Sequence, residues 1–317
     1  MDQFLLFGDS ITQHCFNQDA GFAFGAALSE IYVRRLDVVN RGMSGYNSKQ
    51  AFQALPLIMP DPAHARVRIM TIFFGANDAR IAGTPGGPDQ HVPLDEFVEN
   101  IRAIIQHPVV RRHEGIRIIL VMTPPVDERT CLKHDLERYP GMGRVLRRTA
   151  ANTARYAQAV RTLGDELGLP VLDIHGAMLA RAGYNSSTAS TPAVTPSSTA
   201  STSTTGLSPQ PGPFSGAASA LVATPSPTDE MPGGPLDAPP LVGSLRAPPS
   251  PALQAFLHDG LHFSGDGYRL LYGELMALIE EHFPDQMPTR LPFVLPAWDD
   301  EKAWGGTGPE FWEALDG

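Results

Sequence analysis

The sequence has few cysteines, few basic residues and no long apolar run. Only Cys15 and Cys131 are cysteines among 317 residues, which excludes a disulfide framework. Lysine and arginine total 24 against 34 acidic residues and never cluster beyond a pair, so we expect no nucleic-acid partner. The apolar runs fall far short of the roughly 20 residues of a membrane span, and the amino-terminal residues do not resemble a signal peptide. These absences predict a cytoplasmic protein without a membrane span.

Metal and cofactor motifs are also lacking. Ten histidines are present, but they are scattered, and no group of Cys or His residues has the spacing of a metal site. No glycine-rich phosphate loop follows an apolar run either, which argues against a nucleotide-binding protein. The sequence therefore predicts no metal and no cofactor.

Residues 185–251 are the part of the chain that is least able to form a core. Ser, Thr, Pro, Ala and Gly account for 51 of these 67 residues. Such a segment cannot bury enough apolar surface to offset its chain entropy, so we predict a disordered insertion. The other 250 residues suit one α/β domain spanning 1–317.

A tail at 290–317 contains all three tryptophans, Trp298, Trp304 and Trp312. Tryptophan side chains usually bury their apolar rings, so we expect this tail to dock by its aromatic groups. It would dock either on its own domain or on a second protomer, which would make the protein a homodimer.

Short apolar runs alternate with helix-length segments along the rest of the chain. Runs without polar alternation are typical of strands buried on both faces of a parallel sheet. The predicted strands are 4–7, 37–40, 68–74, 117–122 and 170–174. The predicted helices are 20–32, 48–58, 94–106, 143–167 and 267–282. This order predicts a three-layer α/β/α fold with a doubly wound, five-stranded parallel sheet, whose ligands bind at the carboxyl ends of the strands.

A serine follows the first predicted strand. The sequence Gly8-Asp-Ser-Ile-Thr12 lies between strand 4–7 and a helix-length segment. Ser10 would then project into the crevice at the edge of the sheet, and its backbone N–H could face a developing oxyanion. Gly-Asp-Ser is also ordinary turn chemistry, so the motif alone is a weak indication.

A second polar turn, Asn40–Asn47, follows the second predicted strand. Its glycines permit a close backbone approach, and Gly45 can offer an unobstructed N–H to a ligand. A simple strand-to-helix turn, capped by Ser44 or Asn47, explains the segment equally well.

A third turn, Gly75–Asp78, follows the third predicted strand. Asn77 can aim its side-chain amide into the same crevice. The alternative is an Asx turn that only closes the strand.

Asp259 and His262 lie three residues apart just before the last predicted helix. The glycine between them permits a tight turn that brings the carboxylate to the imidazole. Histidine suits proton transfer near neutral pH and needs an acceptor on its other nitrogen. Asp61–His64 has the same spacing but follows no strand, so we interpret it as a solvated loop. His258 and His175 are lesser candidates, either structural or at the rim of the site.

The four motifs, in this order, resemble those of the GDSL or SGNH hydrolases, a family of serine esterases and lipases. The resemblance covers roughly residues 4–295 apart from the insertion, and Ile11 replaces the leucine of the name-giving motif. Within the family, the sequence is most similar to isoamyl acetate-hydrolysing esterases. This narrower similarity depends on residues 7–12, 40–47, 74–78, 91–94, 123–125 and 259–262.

The resemblance implies a flavodoxin-like fold and a serine esterase mechanism. Ser10 would be the nucleophile, His262 the general base and then acid, and Asp259 the group that orients the histidine. The oxyanion hole would consist of the N–H groups of Ser10 and Gly45 and the side chain of Asn77. The implied substrates are small carboxylic esters with short acyl groups, cleaved through an acyl-enzyme on the serine.

Other functions are open at this point. Members of the same family act on lysophospholipids, thioesters or acetylated carbohydrates, and the sequence does not choose firmly among them. A non-catalytic binding module, regulated by phosphorylation of the hydroxyl-rich insertion, is a lesser alternative. Such a module would have no physical need for Ser10, Asn77, Asp259 and His262 together.

Overall fold

All five predicted strands form, and they lie in one parallel sheet with the order β2-β1-β3-β4-β5. The computed structural model describes residues 1–184 and 240–304. The strands are β1 Gln3–Gly8, β2 Asp37–Gly42, β3 Val67–Phe73, β4 Arg117–Val121 and β5 Val171–Leu172. The strand order reverses between β1 and β3, where a doubly wound sheet places its ligand crevice.

Helices follow each strand. They are α1 Ser10–Gln13, α2 Phe24–Ile31, α3 Ser48–Ile58, α4 Leu94–Gln106, α5 Pro108–Arg111, α6 Glu128–Arg138, α7 Ala150–Leu167, α8 Ile174–Arg181, α9 Pro251–Phe256, α10 Gly265–His282 and α11 Glu301–Trp304. The bounds of α3 and α4 are those predicted from the sequence. The prediction did not include α6 or α8, both of which follow strands of the sheet.

Two hydrophobic cores lie on opposite faces of the sheet. Along β1, Phe4 and Leu6 face a core that includes side chains of α2, α8 and α10, while Leu5 and Phe7 face a core that includes side chains of α3, α4 and α7. Successive side chains of a strand point to opposite faces, so an unbroken apolar run supplies both cores. The predicted three-layer α/β/α architecture is therefore confirmed.

The two edge strands differ from the prediction. β2 pairs only with β1, and most of its residues are half-buried instead of buried on both faces. β5 was predicted to extend to Ile174 but ends at Leu172. Asp173 ends the strand because its side chain accepts a hydrogen bond from Gly176 N at 2.7 Å and caps α8.

The helix predicted at 143–167 begins later, at Ala150. Thr149 is its N-cap, with the side-chain oxygen accepting a hydrogen bond from Asn152 N at 3.1 Å. The apolar spacing that predicted the helix continues past its true start, whereas the cap fixes where the helix begins. The preceding residues are free to take an irregular path along the edge of the sheet.

The C-terminal boundary predicted for the insertion is wrong. Residues 185–239 lie outside the described residues, but 240–251 are described and pack against α6. Glu128 accepts a hydrogen bond from Leu245 N at 2.6 Å, and Arg129 donates to the carbonyl oxygens of Ser244, Leu245 and Ala247. The partners of this stretch lie on another element, so its Ser- and Pro-rich composition could not indicate them.

The tail is anchored by a phenylalanine. The guanidinium groups of Arg34 and Arg35 lie 4.3 and 4.2 Å from the ring centroid of Phe293. Trp298, by contrast, is 89% exposed, so the described part of the tail packs on its own domain through Phe293 and not through this tryptophan. Trp312 lies outside the described residues. Within the described part of the chain, no helix is both long and apolar enough to span a membrane.

Candidate active site

Ser10 is the first residue of α1, directly beyond the carboxyl end of β1. Asp9 caps this helix by accepting a hydrogen bond from Ile11 N at 2.9 Å, so its carboxylate shapes the turn. Helix α10 also contacts the turn, because the Tyr268 hydroxyl donates to Ile11 O at 2.6 Å. The serine side chain is thereby held at the edge of the sheet, facing a cavity.

Asp259, His262 and Ser10 form a hydrogen-bonded line. Ser10 Oγ lies 2.8 Å from His262 Nε2, and His262 Nδ1 lies 2.6 Å from Asp259 Oδ2. The other carboxylate oxygen accepts hydrogen bonds from Leu261 N and His262 N at 3.0 and 2.7 Å. Burial alone would raise the pKa of Asp259, but the hydrogen bonds and the charge of His262 outweigh it and hold the pKa well below its usual range. The carboxylate is therefore ionised when the imidazole takes up a proton.

The turn at Gly260 is fixed against the beginning of α6. Gly260 has φ +86°, a left-handed conformation that residues with a Cβ rarely adopt. An added Cβ would lie 2.5 Å from Cys131 N and 2.6 Å from Asp127 O. Gly260 O in turn accepts a hydrogen bond from Asp127 N at 2.9 Å. Helix α6 thus holds the loop that carries Asp259 and His262.

Gly45 and Asn77 lie on the same cavity as Ser10 and His262. The cavity has a volume of about 540 Å³. Neither the backbone N–H of Ser10 nor that of Gly45 has a hydrogen-bond partner among residues 1–184 and 240–304. Asn77 Nδ2 donates one hydrogen bond, to Tyr46 O at 2.9 Å. Three N–H donors are therefore available at one edge of the sheet.

Arg148 lies next to Asn77 on the cavity and was not predicted from the sequence. It is 7% exposed, and its Nε donates to Ala76 O at 2.8 Å. Its Nη2 donates to Asn77 Oδ1 at 2.9 Å and, more weakly, to Gln90 Oε1 at 3.4 Å. Burial lowers the pKa of this guanidinium from its usual range. Nothing in the sequence distinguishes it from the surface arginines of the chain.

Two buried carboxyl groups lie behind the catalytic turn. Burial raises the pKa of Asp9 to about 7, although the Ile11 N–H and the charge of His262 act in the opposite direction. Burial likewise raises the pKa of Asp78 to about 6, while Ser48 N donates to its Oδ1 at 2.8 Å. Both groups pack beneath the site and do not contact the serine hydroxyl, so we assign them to the support of the turns.

Many residues that line the cavity carry polar side chains. Besides those of the hydrogen-bonded line, they include Gln50, Arg80, Asp89, Gln90, His134, Asp135, Arg138, Tyr139 and Arg147. Arg147 pairs with Asp135 at 2.9 Å and lies over the ring of Tyr139, 5.1 Å from its centroid. Apart from Gln50 in the first turn of α3, these residues lie in loops and in the second half of α6, where the sequence has no apolar pattern that predicts them.

The polar turn after β2 combines two features that the sequence left as alternatives. Asn47 caps α3, with its side chain accepting from Gln50 N at 3.0 Å and Gln50 reaching back to Asn47 N at 3.1 Å. Gly45, two residues earlier, has φ +82° and lies on the cavity. The capped helix therefore follows a glycine that lies on the cavity shared with Ser10.

The other candidate histidines lie in different places. His258 is exposed and stacks on His262 with ring centroids 5.9 Å apart, whereas His175 is buried and hydrogen-bonds Thr123 O through Nδ1 at 2.8 Å. His64 is exposed and belongs to a turn outside the cavity. His258, Asp259 and His262 offer metal-ligating atoms within 4.8 Å of one another, a grouping that the scattered histidines of the sequence did not predict. Both ring nitrogens of His262 are already engaged by Asp259 and Ser10, so a metal ion there would have to displace the hydrogen-bonded line.

The chain is similar to proteins of known family. The model of the GDSL-like lipase/acylhydrolase family matches residues 6–199. An isoamyl acetate-hydrolyzing esterase of Saccharomyces cerevisiae is 28% identical over 305 residues, which cover 94% of each chain. An isoamyl acetate-hydrolyzing esterase 1 homolog of Bos taurus is 38% identical over 176 residues, which cover 55% of this chain and 67% of that protein. A lipase/acylhydrolase structure from Enterococcus faecalis shares 20% identity, with a TM-score of 0.49 over 93% of this chain and 100% of that one.

Proposed function

We propose that this chain, which belongs to the GDSL-like lipase/acylhydrolase family and is a carboxylic ester hydrolase, cleaves small esters with short acyl groups through an acyl-enzyme on Ser10. The observation that carries the proposal is the line from Asp259 through His262 to Ser10, with distances of 2.6 and 2.8 Å. A serine hydroxyl is a weak nucleophile until a hydrogen-bonded base removes its proton, and this line supplies such a base.

In the first step, Ser10 Oγ attacks the carbonyl carbon of the ester while its proton moves to His262 Nε2. The Asp259 carboxylate, hydrogen-bonded to Nδ1, stabilises the imidazolium that forms. The negative charge on the carbonyl oxygen would be met by the N–H groups of Ser10 and Gly45 and by Asn77 Nδ2. Both backbone N–H groups have no other hydrogen-bond partner in the described part of the chain, which supports this role.

In the second step, the tetrahedral intermediate collapses. The bond between the carbonyl carbon and the alcohol oxygen breaks, and His262 Nε2 donates its proton to that oxygen, so the alcohol leaves. A water molecule then attacks the acyl-serine while His262 again accepts a proton. As the bond between the acyl carbon and Ser10 Oγ breaks, His262 Nε2 donates this proton to Oγ, which releases the carboxylic acid and regenerates the serine hydroxyl.

The cavity supports a small and polar substrate. Its volume of about 540 Å³ fits the lower range of small-molecule sites. Many of the residues that line it carry hydrogen-bonding side chains, among them Arg80, Asp89, Gln90 and His134. Among the alternatives within the family, these side chains suit the hydroxyl groups of an acetylated carbohydrate better than the acyl chain of a lysophospholipid.

The Ser10→Ala variant tests the proposal. Turnover of p-nitrophenyl acetate should fall by at least about 10⁴-fold, and a fluorophosphonate probe that labels the wild-type protein should no longer label the variant. Assays with p-nitrophenyl esters of increasing acyl length should give the highest kcat/KM at two to four carbons. Unchanged turnover in the variant would disprove the acyl-enzyme, whereas a best kcat/KM at ten carbons would disprove only the short-chain preference.

Two further proposals concern the surroundings of the protein. Cys15 and Cys131 are buried free thiols, which supports a reducing compartment such as the cytoplasm. The exposed ring of Trp298 supports a homodimer through the tail at 290–317. Sedimentation of the full chain and of a chain that ends at residue 296 would test the second proposal. The same number of protomers per particle in both would disprove it.

A further inference from the structure

Arg148 is a buried arginine whose hydrogen-bond partners are all neutral. Its guanidinium donates to Ala76 O, Asn77 Oδ1 and Gln90 Oε1, and no ion pair joins it to a carboxylate among the described residues. Arg147, the preceding residue, is equally buried at 7% exposure but pairs with Asp135 at 2.9 Å. A buried charge normally needs a partner of opposite sign, yet Asp9 and Asp135 interact with the charge of Arg148 without forming an ion pair with it, which calls for an explanation.

The contacts of Arg148 determine which way the amide of Asn77 points. A guanidinium can only donate hydrogen bonds, and a backbone carbonyl can only accept them. The Asn77 atom that faces Arg148 at 2.9 Å must therefore be Oδ1, and the atom that faces Tyr46 O at 2.9 Å must be Nδ2. A flipped amide would place its NH₂ group against the guanidinium and its oxygen against the carbonyl, which costs both hydrogen bonds.

This orientation leaves one donor for the reaction. Nδ2 of Asn77 carries two hydrogens, and Tyr46 O accepts only one of them. Asn77 lies on the cavity that Ser10 and His262 share, so the second N–H is available to the carbonyl oxygen of a bound ester. A hydrogen bond from a cation to the amide oxygen also withdraws electron density from the nitrogen, which strengthens that N–H as a donor.

The charge of Arg148 would gain a further negative partner during the reaction. The ester is neutral in the ground state, whereas the tetrahedral intermediate carries a negative charge next to Asn77. An interaction that is stronger in the transition state than with the bound substrate raises kcat and leaves KM nearly unchanged. A guanidinium that hydrogen-bonds no carboxylate among the described residues fits such a role.

We infer that Arg148 is a positioning residue of the ester hydrolysis. It fixes the amide of Asn77 with an N–H toward the oxyanion and acts on the transition state through that amide. The inference rests on the proposed function of Ser10 and adds to it a residue that contacts neither the serine nor the histidine.

A purely structural role is the competing explanation, because Arg148 also donates to Ala76 O and so supports the turn that carries Asn77. The two explanations differ in how substitutions combine. A residue that acts through Asn77 has nothing left to contribute once Asn77 is replaced, so its effect and that of Asn77 are strongly non-additive. A residue that merely stabilises the fold contributes independently.

The experiment is a double-mutant cycle with p-nitrophenyl acetate. The four proteins are the wild type, Asn77→Ala, Arg148→Met and the double variant, each checked by circular dichroism and thermal unfolding. Loss of an oxyanion donor typically lowers kcat on the order of 10²- to 10³-fold, so misorientation of the donor in Arg148→Met should lower kcat about 10- to 100-fold with KM within about threefold. The double variant should be no more than about threefold slower than Asn77→Ala.

Two further variants make the result decisive. Arg148→Lys keeps the charge but loses the fork of donors, so it should recover part of the kcat that Arg148→Met loses; if Arg148→Met does not fold, the lysine variant takes its place in the cycle. Arg147→Met is the matched control, because it removes an equally buried arginine that does not contact Asn77. Its effect on kcat should multiply with that of Asn77→Ala.

Multiplicative effects of Arg148→Met and Asn77→Ala, or a rise in KM without a fall in kcat, would overturn the inference. Failure of the proposed function looks different, since it would show as wild-type turnover in Ser10→Ala. If Ser10→Ala were inactive and the kcat losses of Arg148→Met and Asn77→Ala multiplied in the double variant, only the role of Arg148 would be disproved.

Discussion

The chain contains the Asp-x-x-His spacing twice, and only one copy joins the carboxylate to the imidazole. In the loop at 259–262, Asp259 Oδ2 lies 2.6 Å from His262 Nδ1. In the turn at 61–64, Asp61 Oδ1 instead accepts a hydrogen bond from Ala63 N at 2.9 Å, and its other oxygen lies 3.9 Å from Arg112. His64 is exposed, and neither residue lies on the cavity.

The residue after the aspartate accounts for much of the difference. Gly260 adopts φ +86°, whereas Pro62 has a ring that restricts φ to about −65°. The left-handed turn at Gly260 brings both Leu261 N and His262 N to the same carboxylate oxygen, so the second oxygen is free to face the imidazole. The loop at 259–262 also has a partner, since Asp127 N donates to Gly260 O at 2.9 Å. The two segments thus have the same spacing between aspartate and histidine, and the backbone conformation between the two residues determines whether the carboxylate contacts the imidazole.

The segments at 259–262 and 61–64 should differ most in how substitution of their histidines changes turnover. His262→Ala should lower kcat for p-nitrophenyl acetate by on the order of 10⁴- to 10⁶-fold, because the serine loses its base. His64→Ala is the matched control and should keep kcat within about twofold of wild type. Steady-state kinetics of the two variants measure this directly, and a comparable loss in both would contradict the assignment of His262.

A smaller effect is expected from Gly260→Ala. The left-handed backbone conformation costs an alanine roughly 1–2 kcal/mol, and the contact of its Cβ with Cys131 N at 2.5 Å adds to that cost. The free energy of unfolding should therefore fall by more than the conformational cost alone, and kcat should fall because Asp259 shifts away from the imidazole.

Gly115→Ala is the control for Gly260→Ala. Gly115 has φ +72°, but an added Cβ there meets no atom within 4 Å, so the variant carries only the conformational cost. Urea unfolding of both variants separates the two contributions. Equal losses of stability, with kcat retained in Gly260→Ala, would show that the contact with α6 does not hold the catalytic loop.

The smallest expected difference is in how stability depends on pH. The pKa of Asp259 is lower in the folded protein than its value of about 3.9 in an unfolded chain, so its ionised form stabilises the fold above about pH 4. This contribution is lost as the pH falls through the folded pKa. Asp259→Asn should therefore lose less free energy of unfolding than wild type between pH 5 and pH 2.

Asp61→Asn should change the dependence of the free energy of unfolding on pH less than Asp259→Asn does. The Ala63 N–H lowers the pKa of Asp61 as well, but this carboxylate is exposed to water, which screens its interactions. Chemical unfolding at a series of pH values compares the two variants with wild type. If the free energy of unfolding decreased less between pH 5 and pH 2 in Asp61→Asn than in Asp259→Asn, the proposed difference between the two loops would be contradicted.

The sequence predicted the strands of the sheet well because the apolar pattern that indicates each strand lies within the strand itself. Residues 4–7 are apolar without interruption and 69–74 are interrupted only by Thr71, and such runs are typical of strands that are buried on both faces of a parallel sheet. Helix α6 was missed for the opposite reason, since few of its side chains other than Cys131 and Leu132 are apolar and buried. Its stability depends on contacts with 240–251 and with Gly260, and no pattern within α6 itself shows them.

Ser10, Gly45 and Asn77 could be named from the sequence because they follow strands whose carboxyl ends meet at one edge, whereas Asp259 and His262 were named from their spacing around a glycine. The same rule could not find Arg148 or Gln90, which reach the cavity from irregular segments. An arginine next to another arginine normally indicates a solvated surface. Only the packing of the segment before α7 onto Ala76 and Asn77 buries Arg148, and that packing is a property of the folded chain.

The separation of Ser10 from His262 along the chain has a consequence for biosynthesis. The two residues whose side chains meet at 2.8 Å are 252 positions apart. During translation, Ser10 and all five strands leave the ribosome before the segment that carries His262 does. Ser10 therefore has no hydrogen-bonded histidine until residues 259–262 have been synthesised and have packed against the beginning of α6.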